Sequence, residues 1–311
     1  MNAKKIFIIG PTASGKTELA KFVFDNFKTE IISVDSVQIY KDMDIGAAKP
    51  SSSELERYPH HLINLIPPTE SYSVSQFKED EFKVSSNVLN NNKTPLLVGG
   101  TMLYFNALEY PMDDIPSSSD EVRVKVGNEI DEFGLSHLYS KLLKIDPKSA
   151  RTIKPNDKHR IMRAMEVYYI SGKPISCFQT KNKTPQTQFN FLKIGLMPQD
   201  RSALHKRIEL RTKEMIKRGF LDEVRGLLKD YPELGEQHSS MRCVGYRQIL
   251  NSMNKKIELE DLTEMIVIAT RQLAKRQLTW MRGMSHMNLF DPFSPKKENL
   301  VKSLIGKFLE S

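Results

Sequence analysis

Residues 4–9, 31–34 and 95–98 form three short, nearly continuous apolar runs. Runs of that length, apolar on consecutive positions, predict strands buried on both faces, as in a parallel sheet. After the first run, residues 16–27 place Leu19, Ala20, Val23 and Phe27 at helical spacing, and residues 74–89 read as a second helix before the third strand. Strand, helix, strand, helix, strand is the alternation of a parallel sheet covered by helices. The pattern breaks at residues 111–119 (PMDDIPSSS), where proline and serine mark a joint. Residues 120–171 read as charge-rich helices, 173–189 as a polar loop, 192–197 as a further strand, and helices dominate 201–282. The expected architecture is α/β: a parallel-sheet core from residues 1–114 and 191–311, interrupted by a helical insertion domain at 115–190.

Composition adds little to this. With 39% apolar and 27% charged residues in 311, the chain is an ordinary globular sequence able to bury a sizeable core. The net charge of +8 is compatible with a polyanionic partner, but where the charges sit has to decide it. Cys177 and Cys243 are far apart and form no C-x-x-C pair, so reduced thiols are expected, with no zinc site. The N-terminus runs straight into a strand without a signal-peptide layout, and no apolar run approaches the roughly 20 residues of a membrane span. A cytoplasmic protein is expected.

The first strand ends in Gly10-Pro11-Thr12-Ala13-Ser14-Gly15-Lys16-Thr17. Glycines at this spacing, between a strand and a helix, let backbone N–H groups converge on phosphate oxygens, making this a P-loop core. Lys16 adds a point charge, Thr17 a hydroxyl for Mg²⁺, and the helix its positive end. The third strand ends LLVGGT with no acid, which leaves Asp35 as the strand-end carboxylate near the loop. Asp35 could hold Mg²⁺ as in a kinase, act as base towards a nucleophile, or merely cap a turn through Ser36. Thr101 could donate to a leaving-group oxygen or N-cap the helix beginning Met102-Leu103-Tyr104.

Three basic patches lie outside this loop. In residues 264–282 a helical projection puts Ala269, Leu273 and Trp280 on one apolar stripe, with Arg271, Lys275 and Arg282 opposite as unpaired cations. SMRCVGYR (240–247) sets a glycine and Tyr246 between two arginines, a composition suited to unstacked RNA, with Tyr246 available to stack. Lys158 to Arg163 gives the insertion a basic spot of its own. His60-His61 lacks further ligands at metal spacing and reads as packing or loop structure.

GPTASGKT (10–17), ISVDSVQIYKDMDIGAAKP (32–50), LLVGGTMLYFNAL (96–108), PNDKHRIMRAMEVYYISGKP (155–174), RCVGYRQ (242–248) and TRQLAKRQLTWMRG (270–283) together resemble the bacterial tRNA dimethylallyltransferases, in family order across nearly the whole chain. The resemblance is weakest at 173–190 and after about Asp291. It implies transfer of a dimethylallyl group from dimethylallyl diphosphate to N6 of the adenosine 3′ of the anticodon, in tRNAs reading codons that begin with U. It further implies Mg²⁺ as cofactor, with the diphosphate on residues 10–17 and Thr17 at the metal. Asp35 would hold the adenine amine and accept its proton, Thr101 would bond the bridging oxygen, and Lys16 and Arg211 would contact the diphosphate. Arg207, four residues before Arg211, could equally be a surface cation.

The tRNA anticodon stem-loop would lie against Asp35-Ser36-Val37-Gln38, Thr101, Arg123, His159-Arg160-Ile161-Met162-Arg163, Arg242-Cys243-Val244-Gly245-Tyr246-Arg247 and Lys275-Arg276-Gln277-Leu278-Thr279-Trp280-Met281-Arg282, gripped by the insertion. His159 is a small departure from the family pattern. A monomer is expected. Two other classes compete: a P-loop small-molecule kinase, which would leave the basic patches without purpose, and a non-catalytic RNA-binding protein with a relic loop. A nearer neighbour, an adenylate isopentenyltransferase acting on free nucleotide, would need no anticodon-sized surface.

Overall fold

The computed structural model describes residues 3–179, 184, 188–253 and 257–311. The chain divides into two compact units, residues 1–109 with 186–311, and residues 110–185. The first unit begins with β1 (Ala3–Ile9), α1 (Lys16–Asn26), β2 (Thr29–Val34), α2 (Ser52–Arg57), β3 (His60–His61), α3 (Val74–Asn90), β4 (Thr94–Gly99) and α4 (Met102–Glu109). The second unit holds α5 (Asp120–Phe133), α6 (Leu135–Ile145), α7 (Pro147–Ala150) and α8 (Lys158–Ser171). The chain then returns to the first unit with β5 (Phe189–Leu196), α9 (Arg201–Lys217), α10 (Phe220–Asp230), α11 (Tyr246–Ser252), α12 (Leu259–Arg282), β6 (Met287–Phe290) and α13 (Lys297–Glu310).

The six strands form one parallel sheet in the order β3-β2-β4-β1-β5-β6, which bears out the α/β expectation. β1 is central because Ile6, Phe7, Ile8 and Ile9 are all fully buried and can be covered from both faces. Phe7, Ile9, Ile32, Val34 and Leu97 form one core with residues of α3, α4, α9 and α12. Ile6, Ile8, Ile31, Leu96 and Ile194 form the other with α1 and α13. Two buried lysines interrupt the apolar strands. Lys5 is buried against Glu81 at 2.8 Å, and Lys193 against Glu109 at 2.6 Å. Burial pulls the Lys5 pKa down, and the Glu81 carboxylate opposes that shift.

His60-His61 is not a loop but an edge strand paired with Ile31 and Ile32. The His61 ring bonds Glu30 at 2.7 Å, a packing role. β6 extends the opposite edge beside β5. Much of the polar loop expected at 173–189 lies outside the described residues. In the second unit, Val126, Leu138, Leu142, Ile161, Ala164 and Met165 make a core that belongs to that unit alone. No helix among the described residues is long and apolar enough to cross a membrane.

α12 packs about a quarter-turn away from the stripe expected from its sequence. Its buried face is Leu262, Ile266, Val267, Ala269, Ala274, Leu278 and Met281, whereas Trp280 is 48% exposed. Two cores meet this one helix, so its apolar face is wider than a projection over its last 19 residues suggests. Arg271 is not an unpaired cation, because it lies 3.4 Å from Glu209 of α9.

Candidate active site

The site lies at the carboxyl edge of the sheet, where open parallel sheets bind ligands. β1 ends at Ile9 and α1 starts at Lys16, with the phosphate loop between them. Gly10 has no room for a side chain, since a Cβ there would stand 2.5 Å from Ser14 Oγ and 3.1 Å from Leu196 Cβ. Ala13 (φ 61°) and Gly15 (φ 79°) take the left-handed conformation that curls the loop. Lys16 folds back so that its Nζ donates to the Pro11 carbonyl at 2.8 Å. The buried Ser14 Oγ has no hydrogen-bond partner. Thr17 is exposed in the first turn of α1.

α9 supplies two further cations. Leu204, Ile208 and Thr212 are buried at four-residue spacing and fix the rotation of the helix. Arg211 then lines the cavity with Lys16 and Thr17, and the Arg207 guanidinium lies 3.7 Å from where a Gly15 Cβ would be. Burial, reinforced by Arg211 and opposed by Asp35, brings the Lys16 pKa down to about 8. Burial also lowers the Arg211 pKa, with Asp35 opposing and Arg207 adding to the shift. The loop is thus a site of concentrated positive charge, with Lys16 half-buried and Arg207 and Arg211 exposed beside it, an arrangement that a bound anion relieves.

Asp35 follows β2 and lines the same cavity. Its Oδ1 accepts from the Val37 N–H at 2.8 Å and the Gln38 N–H at 3.4 Å. The turn-capping geometry and the position in the cavity therefore coexist in one side chain. Thr101 Oγ1 accepts from the Ser36 N–H at 3.0 Å and donates to Ser36 Oγ at 3.3 Å, so its hydroxyl ties the end of β4 to the Asp35 turn. The two strand ends can approach because Gly99 has no Cβ, which would collide with the Val34 carbonyl. Cys243 is no nucleophile here, because burial and the Asp35 charge push its thiol up to about 12.

Ile208, Met215, Phe220, Val244, Ile266 and Leu273 also line this cavity, interspersed with polar Arg211, Thr212, Thr270 and Gln277. One hollow therefore brings phosphate-loop residues, a carboxylate and apolar side chains together. Among the described residues there is no group of three or more His, Cys, Asp or Glu side chains placed to hold a metal. Mg²⁺ still fits the donors present, because it keeps several waters and is held largely by substrate phosphates, with Thr17 as a protein hydroxyl.

Several residues assigned to a tRNA surface turn out to be internal. Tyr246 is fully buried, edge-on to Phe220 at 4.9 Å between ring centroids, and its hydroxyl donates to Glu223 at 2.6 Å. It cannot stack on a base. Ile161, Leu278 and Met281 are likewise core residues. Gln277 faces the phosphate loop, and Val244 and Gly245 line the cavity. Arg242 is exposed but braces its own loop through the Glu236 and Gln237 carbonyls, each at 3.0 Å. Arg247, Lys275, Arg276, Thr279, Trp280 and Arg282 are on the surface. In the insertion Arg123, His159 and Arg160 are exposed and Met162 is half-buried. Arg160 pairs with Asp157, and Arg163 donates to the Pro116 carbonyl and faces Glu166.

Sequence reasoning missed Phe220 and Glu223. Glu223 accepts the backbone N–H groups of Asp44, Ile45 and Gly46 at 2.9, 2.5 and 3.1 Å. Nothing in the local sequence marks a surface-looking glutamate as the anchor of a loop 177 residues away.

A family model described as IPP transferase matches residues 38–284, and one described as isopentenyl transferase matches residues 3–64. A tRNA dimethylallyltransferase of Methylobacillus flagellatus is 44% identical over 98% of this chain and 97% of its own length. That of Vesicomyosocius okutanii is 48% identical over 91% and 92%. The crystal structure of a tRNA isopentenylpyrophosphate transferase from Bacillus halodurans superposes with a TM-score of 0.70 at 32% identity, covering 99% of this chain and 97% of that one. A eukaryotic dimethylallyltransferase acting on tRNA reaches 0.79 at 29% identity, covering 99% and 80%. Matched along nearly its whole length in sequence and in fold, the chain belongs to the IPP transferase family, among the tRNA dimethylallyltransferases.

Proposed function

We propose that the protein transfers a dimethylallyl group from dimethylallyl diphosphate to N6 of the adenosine 3′ of the anticodon in tRNAs reading codons that begin with U, releasing diphosphate in the cytoplasm. The observation that carries this reading is the one cavity in which the phosphate loop, Lys16 and Arg211 meet Asp35 and several apolar side chains. A kinase would leave the exposed cations of α8 and α12 without purpose.

In this reading the loop amides, Lys16 and Arg211 bind the diphosphate and stabilise the charge that develops as the allylic C–O bond breaks. Thr101 stands at the bridging oxygen. Asp35 orients the adenine amine and takes its proton as the new C–N bond forms. The amine is a weak nucleophile because its lone pair is delocalised, so holding it in line matters more than basicity. Mg²⁺ would be held by Thr17 and the diphosphate oxygens, and when bound it neutralises charge on the leaving group. The base has to leave the anticodon stack to reach the cavity. The exposed cations of α8 and α12, with Trp280, are assigned to the tRNA, and the protein acts as a monomer.

The test is incubation with Mg²⁺, dimethylallyl diphosphate and unmodified tRNA, followed by mass spectrometry of the digested nucleosides. Prenylated adenosine next to the anticodon, formed without ATP, is the expected result. ATP consumption with a small acceptor and no prenylated nucleoside overturns the reading.

A further inference from the structure

Among the described residues that line the cavity, one is aromatic. Phe220, the first residue of α10, lines the cavity while only 1% exposed. Its ring occupies space that two glycines leave free. A Cβ on Gly46 would collide with the ring, and one on Gly245 would stand 2.6 Å from Cε1. Gly219, just before Phe220, and Gly245 both have positive φ, 93° and 92°, so the backbone on either side is held in conformations side chains avoid.

The ring is also braced from behind. Tyr246 meets it edge-on, and the Tyr246 hydroxyl is tied to Glu223. Glu223 in turn holds the backbone of Asp44, Ile45 and Gly46, of which Gly46 lines the cavity. A ring fixed by two glycines, an aromatic neighbour and a carboxylate clamp cannot easily swing aside for a longer ligand.

We infer that Phe220 is the stop that limits the transferred chain to one five-carbon unit. This rests on the proposed prenyl transfer and adds the selectivity of its donor pocket. Prenyl diphosphates share one head group and one reaction. The allylic C–O bond breaks, diphosphate leaves with the electron pair, the C–N bond forms and the amine proton passes to Asp35. Discrimination between five and ten carbons must therefore come from where the hydrocarbon end of the pocket closes. Each methylene that fits or fails to fit changes discrimination by about 10- to 200-fold.

The test compares dimethylallyl with geranyl diphosphate on wild-type protein, Phe220→Leu and Phe220→Ala. Transfer to unmodified tRNA and direct calorimetric binding of each diphosphate are both measured. Using the ratio of the two donors within each variant cancels any general loss of activity, and Phe220→Leu keeps the core filled if Phe220→Ala fails to fold. We expect the geranyl-to-dimethylallyl ratio to rise at least tenfold in Phe220→Leu, in both transfer and binding. An unchanged ratio in folded Phe220→Leu overturns the inference while wild-type dimethylallyl transfer still upholds the function. Absence of wild-type transfer, together with a wild-type protein that binds both diphosphates equally, overturns both.

Discussion

The Gln277 side chain accepts the Thr12 backbone N–H at 2.9 Å through Oε1, and from Nε2 it donates to the Gly100 carbonyl at 2.9 Å. One carboxamide on α12 therefore clips the phosphate loop to the end of β4. Gln277→Ala removes both bonds, each contributing about 1 kcal/mol, and leaves the loop freer to lose its cradle shape. The KM for dimethylallyl diphosphate should rise on the order of tenfold or more, with the Kd for tRNA little changed. A loss confined to tRNA affinity would return Gln277 to the RNA surface.

Asp35 carries two roles that substitution can separate. Asp35→Asn keeps the oxygen that caps Val37 and Gln38 but cannot take a proton. We expect kcat to fall by about 10² to 10⁴ in both Asp35→Asn and Asp35→Ala, with thermal stability lowered only in Asp35→Ala. Near-normal single-turnover rates in Asp35→Asn would remove Asp35 from the chemistry.

Lys16 predicts a pH dependence with a definite sign. Its pKa falls from 10.5 to about 8 in the folded protein. Below about pH 8 it is charged and the free site attracts diphosphate; above that it turns neutral. Accordingly kcat/KM for dimethylallyl diphosphate should fall as pH rises through about 8, whereas kcat should hold longer because the bound anion keeps Lys16 protonated. Between about 8 and 10.5 the unfolded chain binds more protons, so this group's contribution to folding stability rises with pH. Lys16→Arg, charged throughout, should flatten the kcat/KM profile. A profile unchanged by Lys16→Arg would refute the assignment.

Tyr246 and Trp280 should behave oppositely. Tyr246→Phe loses the bond to Glu223 and should cost roughly 1 kcal/mol of stability with tRNA affinity intact. Trp280→Ala should leave stability within about 0.5 kcal/mol but weaken tRNA binding by about 1–3 kcal/mol if the ring stacks on a base. Trp280 is the sole tryptophan, so its fluorescence reports the contact directly. An emission spectrum unaffected by saturating tRNA would place the RNA elsewhere.

What could be read from the sequence follows from how far each signal reaches. β1 with its glycine loop, β2 ending at Asp35 and β4 ending at Gly99 were legible because strands buried on both faces are continuous apolar runs punctuated locally. β3 and β6 were not, since edge strands of two and four residues leave no period to detect. The face of α12 was misread because two separate cores meet it, and Tyr246 because its partners Phe220 and Glu223 are brought to it only by the tertiary fold. Asp35 and Thr101 were visible as strand-end polar residues, whereas the bond joining the Thr101 hydroxyl to Ser36 exists only once β2 and β4 lie side by side.

The central position of β1 has a consequence for how the molecule comes into being. Its two neighbours are β4 and β5, so Ile6 pairs on one side with Leu96 and on the other with Leu192. Its local partner is α1, which packs on one face, and no hairpin among the described residues supplies a paired strand, so its sheet contacts are of long range and form slowly. A ribosome has to release β5, which follows the insertion, before the second flank of β1 can close. The phosphate loop at the tip of that strand is encoded within the first 17 residues, yet the strand it extends is flanked on both sides by segments far along the chain.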